Sequence, residues 1–253
     1  MPEYWFTADW HLGHARICEL ANRPFASVDA MNEALIERHN ALVRPDDRVW
    51  VLGDVCMGAI DESLALVSRF NGHKYLVAGN HDRCFHGYGD NAVNKPQFDA
   101  WVRRYRQAGF ATVITGFHTL RNGFGPLIEL VPTTYGTDGR RSLGWRGELC
   151  HFPTVGESRP DRDDRFAEYR PRPLGGVDRR AETRRWVLHG HVHDAWLSSG
   201  RNLNVGVDRW DYAPVHLDDV AAYVTRAEER HRDLLDVGQP LVVGPGFRSS
   251  TTS

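Results

Sequence analysis

Short apolar runs alternate with small polar clusters along the chain. Tyr4-Trp5-Phe6-Thr7 leads into Ala8-Asp9, and Val49-Trp50-Val51-Leu52 into Gly53-Asp54. Tyr75-Leu76-Val77-Ala78 leads into Gly79-Asn80-His81-Asp82, Glu148-Leu149-Cys150 into His151, and Trp186-Val187-Leu188 into His189. Runs of this kind, bounded by glycine and polar residues, predict strands buried on both faces. Between the early strands the period changes. Residues 27–43 carry Met31, Leu35, Ile36, His39 and Leu42 at helical spacing, and Asp61 is read as the cap of a helix holding Leu64, Val67 and Phe70, stopped by Gly72. Further helices are predicted over 97–108 and 218–235. Residues 112–131 read as consecutive strands, with Asn122-Gly123 as a hairpin turn. Strand alternating with helix predicts an α/β chain, helices layered on a sheet.

Composition narrows the class. The 253 residues suffice for one large core, read as a single domain over 1–235 with an insertion or lid rich in Arg and Asp at 156–185 and a disordered tail at 236–253. No apolar stretch approaches the roughly 20 residues of a membrane helix, and the N-terminus lacks a signal peptide's basic and apolar regions. The expectation is a cytoplasmic protein with no membrane partner. Cys18, Cys56, Cys84 and Cys150 form no CxxC pair, which argues against a zinc ribbon and for reduced thiols. The net charge of −2 provides no basic field of the kind that advertises nucleic-acid binding.

The polar clusters then acquire a chemical meaning. In open α/β sheets, ligands bind outside the carboxyl ends of the strands. Five such ends would bring Asp9, His11, Asp54, Asn80, His151, His191 and His193 to one crevice. Seven ligands exceed the need of one ion and suit two that share a carboxylate. Imidazole, carboxylate and carboxamide without thiolate suit Mn, Fe, Ni or Zn with open positions, Mn being the expected activator in vitro. Such a pair can hold a hydroxide and clamp phosphoryl oxygens during in-line displacement. Gly53, Gly79 and Gly190 would let the backbone approach the ions without a Cβ clash. Taken singly, each residue has an ordinary reading. Gly-Asp and Asn-His-Asp make turns, His151 suits a core histidine bonded to backbone, and His191 and His193 suit an exposed edge. Five clusters ordered behind five strands do not.

The ordered set "ADWHLGH", "LGDV", "AGNHD", "CHFP" and "HGHVH" resembles the calcineurin-like binuclear metallophosphoesterase superfamily, in its small stand-alone bacterial and phage form. The resemblance runs from Asp9 to His193. It implies a layered α/β/β/α sandwich with the active site at the C-terminal ends of the strands. By position, one ion would be held by Asp9, His11, Asp54 and His193, the other by Asp54, Asn80, His151 and His191, with Asp54 as the bridge. His81 would not bind metal but would assist the leaving-group oxygen, and Asp82 would orient His81. His14 and Arg83 are candidates for substrate contact, each with a loop residue as the alternative. His189 reads as a packing residue, and Asp208 as a turn cap near the site.

The resemblance also bears on substrate. Phosphoprotein phosphatases of this superfamily carry G-D-x-x-D-R-G, where this chain has "GDVCMGAIDE" and lacks the arginine. The first motif looks more like that of SbcD-type nucleases and small phosphodiesterases, although only 60 residues follow His193. The implied function is hydrolysis of a phosphoester, a diester before a monoester, with a nucleotide or other small diester as substrate. A metal-dependent DNA or RNA nuclease is the alternative among enzymes. A silent binding scaffold is the alternative outside them, weakened by the intact ligand set and His81.

Overall fold

The structure is a computed structural model, and it describes residues 1–116, 125–132, 134–135, 141–142, 144–155, 164–171 and 185–237. The first half of the chain alternates as its pattern predicts: β1 (Tyr4–Thr7), α1 (Ile17–Leu20), α2 (Val28–Leu42), β2 (Arg48–Val51), α3 (Ile60–Ala65), β3 (His73–Val77), α4 (Lys95–Gln107) and β4 (Phe110–Ile114). The second half is strand-rich: β5 (Leu127–Val131), β6 (Thr134–Tyr135), β7 (Arg141–Ser142), β8 (Trp145–Leu149), β9 (Arg185–His189), β10 (Ser198–Ser199), β11 (Asn202–Asn204) and β12 (Val215–His216). The closing helix α5 spans Leu217–Val237, so Asp236 and Val237, counted with the tail on sequence grounds, continue it. Residues 238–253 lie outside the described residues.

Ten of the strands form two mixed sheets of five, and β6 pairs antiparallel with β7. One has the order β12-β1-β2-β3-β4, with β1 to β4 parallel and β12 antiparallel to β1. The other has the order β10-β11-β9-β8-β5, with β11, β9 and β8 parallel. The two outer faces of the pattern are explained by packing. Trp5, Val49, Val51 and Leu76 join Met31, Leu35, Ile36, Leu64, Val67 and Phe70 in a core between the first sheet and its helices. Phe6, Ala8, Leu52 and Val77 point the other way and meet Leu149, Trp186, Leu188 and Leu203 of the second sheet, with Val220 and Val224 of α5. Each aliphatic side chain so buried contributes roughly 1.5–3 kcal/mol.

Register places the site. Thr7 pairs with Val51 and Val51 with Leu76, so the residues after β1, β2 and β3 leave the first sheet at one edge. Leu149 pairs with Leu188, so the residues after β8 and β9 emerge together from the second.

Side chains cap two of the helices, and the cap expected at a third is not one. Ser27 caps α2, its hydroxyl accepting from Ala30 N at 3.1 Å, and Asn94 caps α4 just before Pro96. Asp61 is not a cap. The helix starts at Ile60 behind Ala59, and Asp61 sits in its first turn, paired with Arg104, where a carboxylate complements the helix dipole. The helix also tightens into a 3₁₀ turn at Leu66–Arg69 before Gly72. The predicted pairing within 112–131 is corrected too. β4 joins β3 in the first sheet while β5 joins β8 in the second, so the chain crosses between sheets there. The Asn122-Gly123 turn lies outside the described residues.

Candidate metal centre

At the strand ends the backbone enters an uncommon conformation. Asp9, His11, Asp54, His191 and His193 have φ of 59°, 51°, 54°, 70° and 48°. Left-handed non-glycine residues cost about 1–3 kcal/mol each and persist where their surroundings over-determine them. Here the turns after β1 and β2 run side by side: Asp9 N donates to Gly53 O at 3.0 Å, His11 N to Asp54 O at 2.9 Å, and Leu12 N to Val55 O at 3.0 Å. His191 N donates to both Asp9 carboxylate oxygens, at 3.1 and 3.0 Å, tying the last turn to the first. The glycines make room for neighbouring side chains. Gly53 has φ +89°, and a Cβ there would lie 2.6 Å from His151 Nδ1; a Cβ on Gly190 would run into the Asp9 carboxylate.

Asp54 lies at the centre. Its Oδ1 accepts from His81 N at 2.9 Å, and its Oδ2 is 3.5 Å from both His11 Nε2 and His151 Nε2. His151 Nδ1 is 2.7 Å from Leu52 O. A carbonyl only accepts, so Nδ1 carries a proton. His151 Nε2 lies 3.1 Å from Asn80 Oδ1, which also lies 3.1 Å from His191 Nδ1. Both ring nitrogens of His11 are buried without a hydrogen-bond partner. Ligand atoms of Asp9, His11 and His193 lie within 4.8 Å of one another, as do those of Asp9, Asp54 and His151. Imidazole nitrogens and carboxylate oxygens that converge this closely fit a bound cation.

Electrostatics agree. Burial pulls His11 well below its ordinary value, which leaves the ring neutral, the state a cation requires. Burial would raise Asp54, but His151, His81 and the hydrogen bond from His81 N outweigh it and hold the carboxyl well below the usual range. Burial raises Asp9 against the opposing charges of His193 and His151. His193 is raised: burial alone would lower it, and the hydrogen bond to Asp208 with the charges of Asp9 and Asp208 prevails.

The remaining predicted residues fall in different places. His81 is half-buried, its ring 5.4 Å from that of His11. His14, also half-buried, has its ring 5.3 Å from His11 and a buried Nδ1 without a partner. Arg83 lies over the Trp101 ring at 4.9 Å, with Arg104 stacked on the same ring at 4.4 Å. His189 is buried against Trp196 and does not join the cluster, and burial pushes it down to about 3. The expected role of Asp82 is corrected. Its carboxylate accepts from Asp54 N, Val55 N and Gly79 N at 2.9, 3.0 and 2.8 Å and from the Tyr105 hydroxyl at 3.2 Å. It therefore binds the β2 and β3 turns together, and among the described residues no hydrogen bond joins it to the His81 ring. Burial and the Asp54 charge push Asp82 up to about 7, with Gly79 and Val55 N–H opposing.

Sequence reasoning missed Arg23 and Asn204, and it placed Asp208 near the site only as a turn cap. Asp208 pairs with Arg23 and reaches His193, and Asn204 holds the carbonyls of His193 and Trp196. The only signal was the Asn204-x-Gly206-x-Asp208 spacing behind the final ligand motif; nothing marked Arg23. Part of the predicted insertion also borders the site. Phe166 stacks on Phe152, and their rings lie 6.4 and 4.9 Å from His191.

Comparison with known proteins gives the class. The calcineurin-like phosphoesterase family model matches residues 3–243, and the chain belongs to that family. It is 29% identical to the gene 66 protein of Mycobacterium phage L5 over 224 residues, covering 83% of this chain and 88% of that one. It is 28% identical to the gene 66 protein of Mycobacterium phage D29 over 237 residues, covering 90% and 99%. A protein of unknown function from Aquifex aeolicus has a similar fold, with a TM-score of 0.53 at 19% identity over 88% of this chain and 100% of that one. Family and metal-binding cluster together make this chain a metal-dependent phosphoesterase. No helix among the described residues is long and apolar enough to cross a membrane.

Proposed function

We propose that the chain hydrolyses phosphodiesters in preference to monoesters, using two divalent cations that share Asp54. Asp9, His11, Asp54 and His193 hold one, and Asp54, Asn80, His151 and His191 hold the other. The observation that carries this reading is the position of Asp54 Oδ2, 3.5 Å from an imidazole nitrogen of each set. Bound there, the ions supply Lewis acidity, activating water and neutralising charge on phosphoryl oxygens. Nitrogen and oxygen donors without thiolate suit Mn, Fe, Ni or Zn, with Mn expected to activate best in vitro.

The protein groups do the rest. Hydrogen bonding of its backbone N–H to Asp54 fixes His81 beside the metal ligands, and its ring N–H donates a proton to the departing alcohol oxygen. His14 lines the same side and contacts the substrate. A monoester dianion calls for additional cationic groups. Arg23 is buried against Asp208 and Arg83 is stacked on Trp101, which favours a singly charged diester. A nucleotide or other small diester is the substrate class. The near-neutral net charge gives a long nucleic acid no particular advantage. Free cysteines suit a reducing cytoplasm.

The test is hydrolysis of bis-p-nitrophenyl phosphate against p-nitrophenyl phosphate by metal-stripped protein resupplied with Mn²⁺, Ni²⁺ or Zn²⁺. The diester is cleaved faster, and His81→Ala lowers kcat by about 10²–10⁴-fold while metal content stays unchanged. Faster cleavage of the monoester would overturn the diester preference, and a fully active His81→Ala would remove the proton-donor role.

A further inference from the structure

Arg23 and Asp208 form an ion pair whose side chains are 0% and 1% exposed. It is bidentate, with Arg23 Nε 2.7 Å from Asp208 Oδ1 and Nη2 2.9 Å from Oδ2. The same guanidinium donates to Asp9 O at 2.6 Å and to Trp10 O at 3.0 Å. It thereby grips the left-handed turn that carries Asp9 and His11. Asp208 Oδ2 in turn lies 3.1 Å from His193 Nδ1. The backbone builds Asp208 into this position: Ala8 bridges Gly206, and Val207 N donates to Ala8 O at 3.1 Å.

We propose that Arg23 and Asp208 are positioning residues for one ion position only, that of Asp9, His11 and His193. This rests on the two-ion reading above. A carboxylate accepting from Nδ1–H fixes the His193 tautomer, leaves Nε2 as the ligand atom and raises its basicity. His151 receives weaker support, since its Nδ1 donates to the neutral carbonyl of Leu52. Arg23 cancels the charge of Asp208, so the carboxylate is retained by its partner and does not become an eighth ligand. The guanidinium fork is needed because one group serves a carboxylate and two carbonyls together, which an ammonium cannot do at those distances. The pair therefore makes one ion position tighter than the other.

The experiment uses Arg23→Met/Asp208→Leu, since replacing both partners of a buried pair with apolar residues leaves no orphaned charge. Folding is checked by circular dichroism and thermal unfolding. Metal-stripped protein is titrated with Mn²⁺, with bound metal counted by mass spectrometry. Wild type takes two ions per chain. The variant keeps one at unchanged affinity and binds the other about 10–100-fold more weakly. Long-range ¹H–¹⁵N spectra of the metal-free proteins at pH 8 show the Nδ1–H tautomer of His193 in wild type and its loss in the variant. Arg23→Lys, which keeps the charge, shifts the same ion in the same direction by less, and decides the matter if the double variant does not fold. Two ions at unchanged affinity, or two weakened equally, would overturn this proposal alone. Failure of wild type to bind any ion would overturn it together with the two-ion reading.

Discussion

The two ends of the first sheet treat a buried aspartate in opposite ways. Asp47 precedes β2 and Asp54 follows it, and both are 1% exposed. Asp47 is saturated with donors: Glu3 N at 2.9 Å, Arg44 N at 2.9 Å, Trp5 Nε1 at 3.2 Å and the Arg44 guanidinium at 3.3 Å. These bonds hold the start of β1 to the turn before β2, and they outweigh burial to draw Asp47 down to about 2. Asp54 is left-handed, and one of its oxygens faces two imidazoles at 3.5 Å without a hydrogen bond to either. Burial and residue type are the same. What separates the two carboxylates is whether the fold supplies donors to both oxygens or withholds them from one.

That contrast can be broken from either side. The largest effect is expected from Asp54→Asn: metal content falls, and diester hydrolysis drops by at least about 10²–10³-fold, a loss typical of removing one group that stabilises transition-state charge. The metal-free variant unfolds no earlier than metal-free wild type, as measured by calorimetry, because the replacement keeps an oxygen acceptor for His81 N and removes a buried charge. Asp47→Ala does the reverse. Orphaning its buried donors costs about 2–3 kcal/mol, or roughly 4–12 °C in Tm, while kcat for the folded fraction is unchanged.

The histidines sharpen the comparison by a smaller amount. His39 of α2 is buried between Trp10 and Phe70, its Nε2 3.0 Å from Asn71 O, and burial pulls it down to about 4. Its folded pKa lies below the unfolded value of 6.5, so the unfolded chain takes up the proton first. Stability is therefore complete above about pH 6.5 and declines as pH falls toward about 4, by about 1.4 kcal/mol per pH unit for one proton. Urea unfolding between pH 7 and 4.5 should show this slope in wild type and its reduction in His39→Gln.

The site was legible where its logic is local. A strand end followed by a polar cluster can be read within a few residues, so the candidate clusters after β1, β2, β3, β8 and β9 were visible, and so were the glycines among them. Asp82 was read from its neighbour in sequence, His81, whereas its carboxylate binds backbone 27 and 28 residues away. Arg23 and Asp208 are 185 residues apart, and no spacing rule connects them. The predicted hairpin failed for a related reason: strand propensity marks β4 and β5 but does not say that they serve different sheets. Asp61 resembled a cap because residue type alone does not reveal which N–H groups lie within reach.

The hydrogen bonds from His191 N to Asp9 join residues 182 positions apart. At 5–20 residues per second, a ribosome that has made Asp9 takes on the order of 10–40 s to deliver its partner. β1 meanwhile waits for β12, which pairs along its free edge later still. β1 is thus secured long after it is made, and the nascent chain holds an apolar edge open throughout that interval. Contacts of such long range fold slowly, so the step that completes the site is also the one most open to capture by chaperones or by another chain.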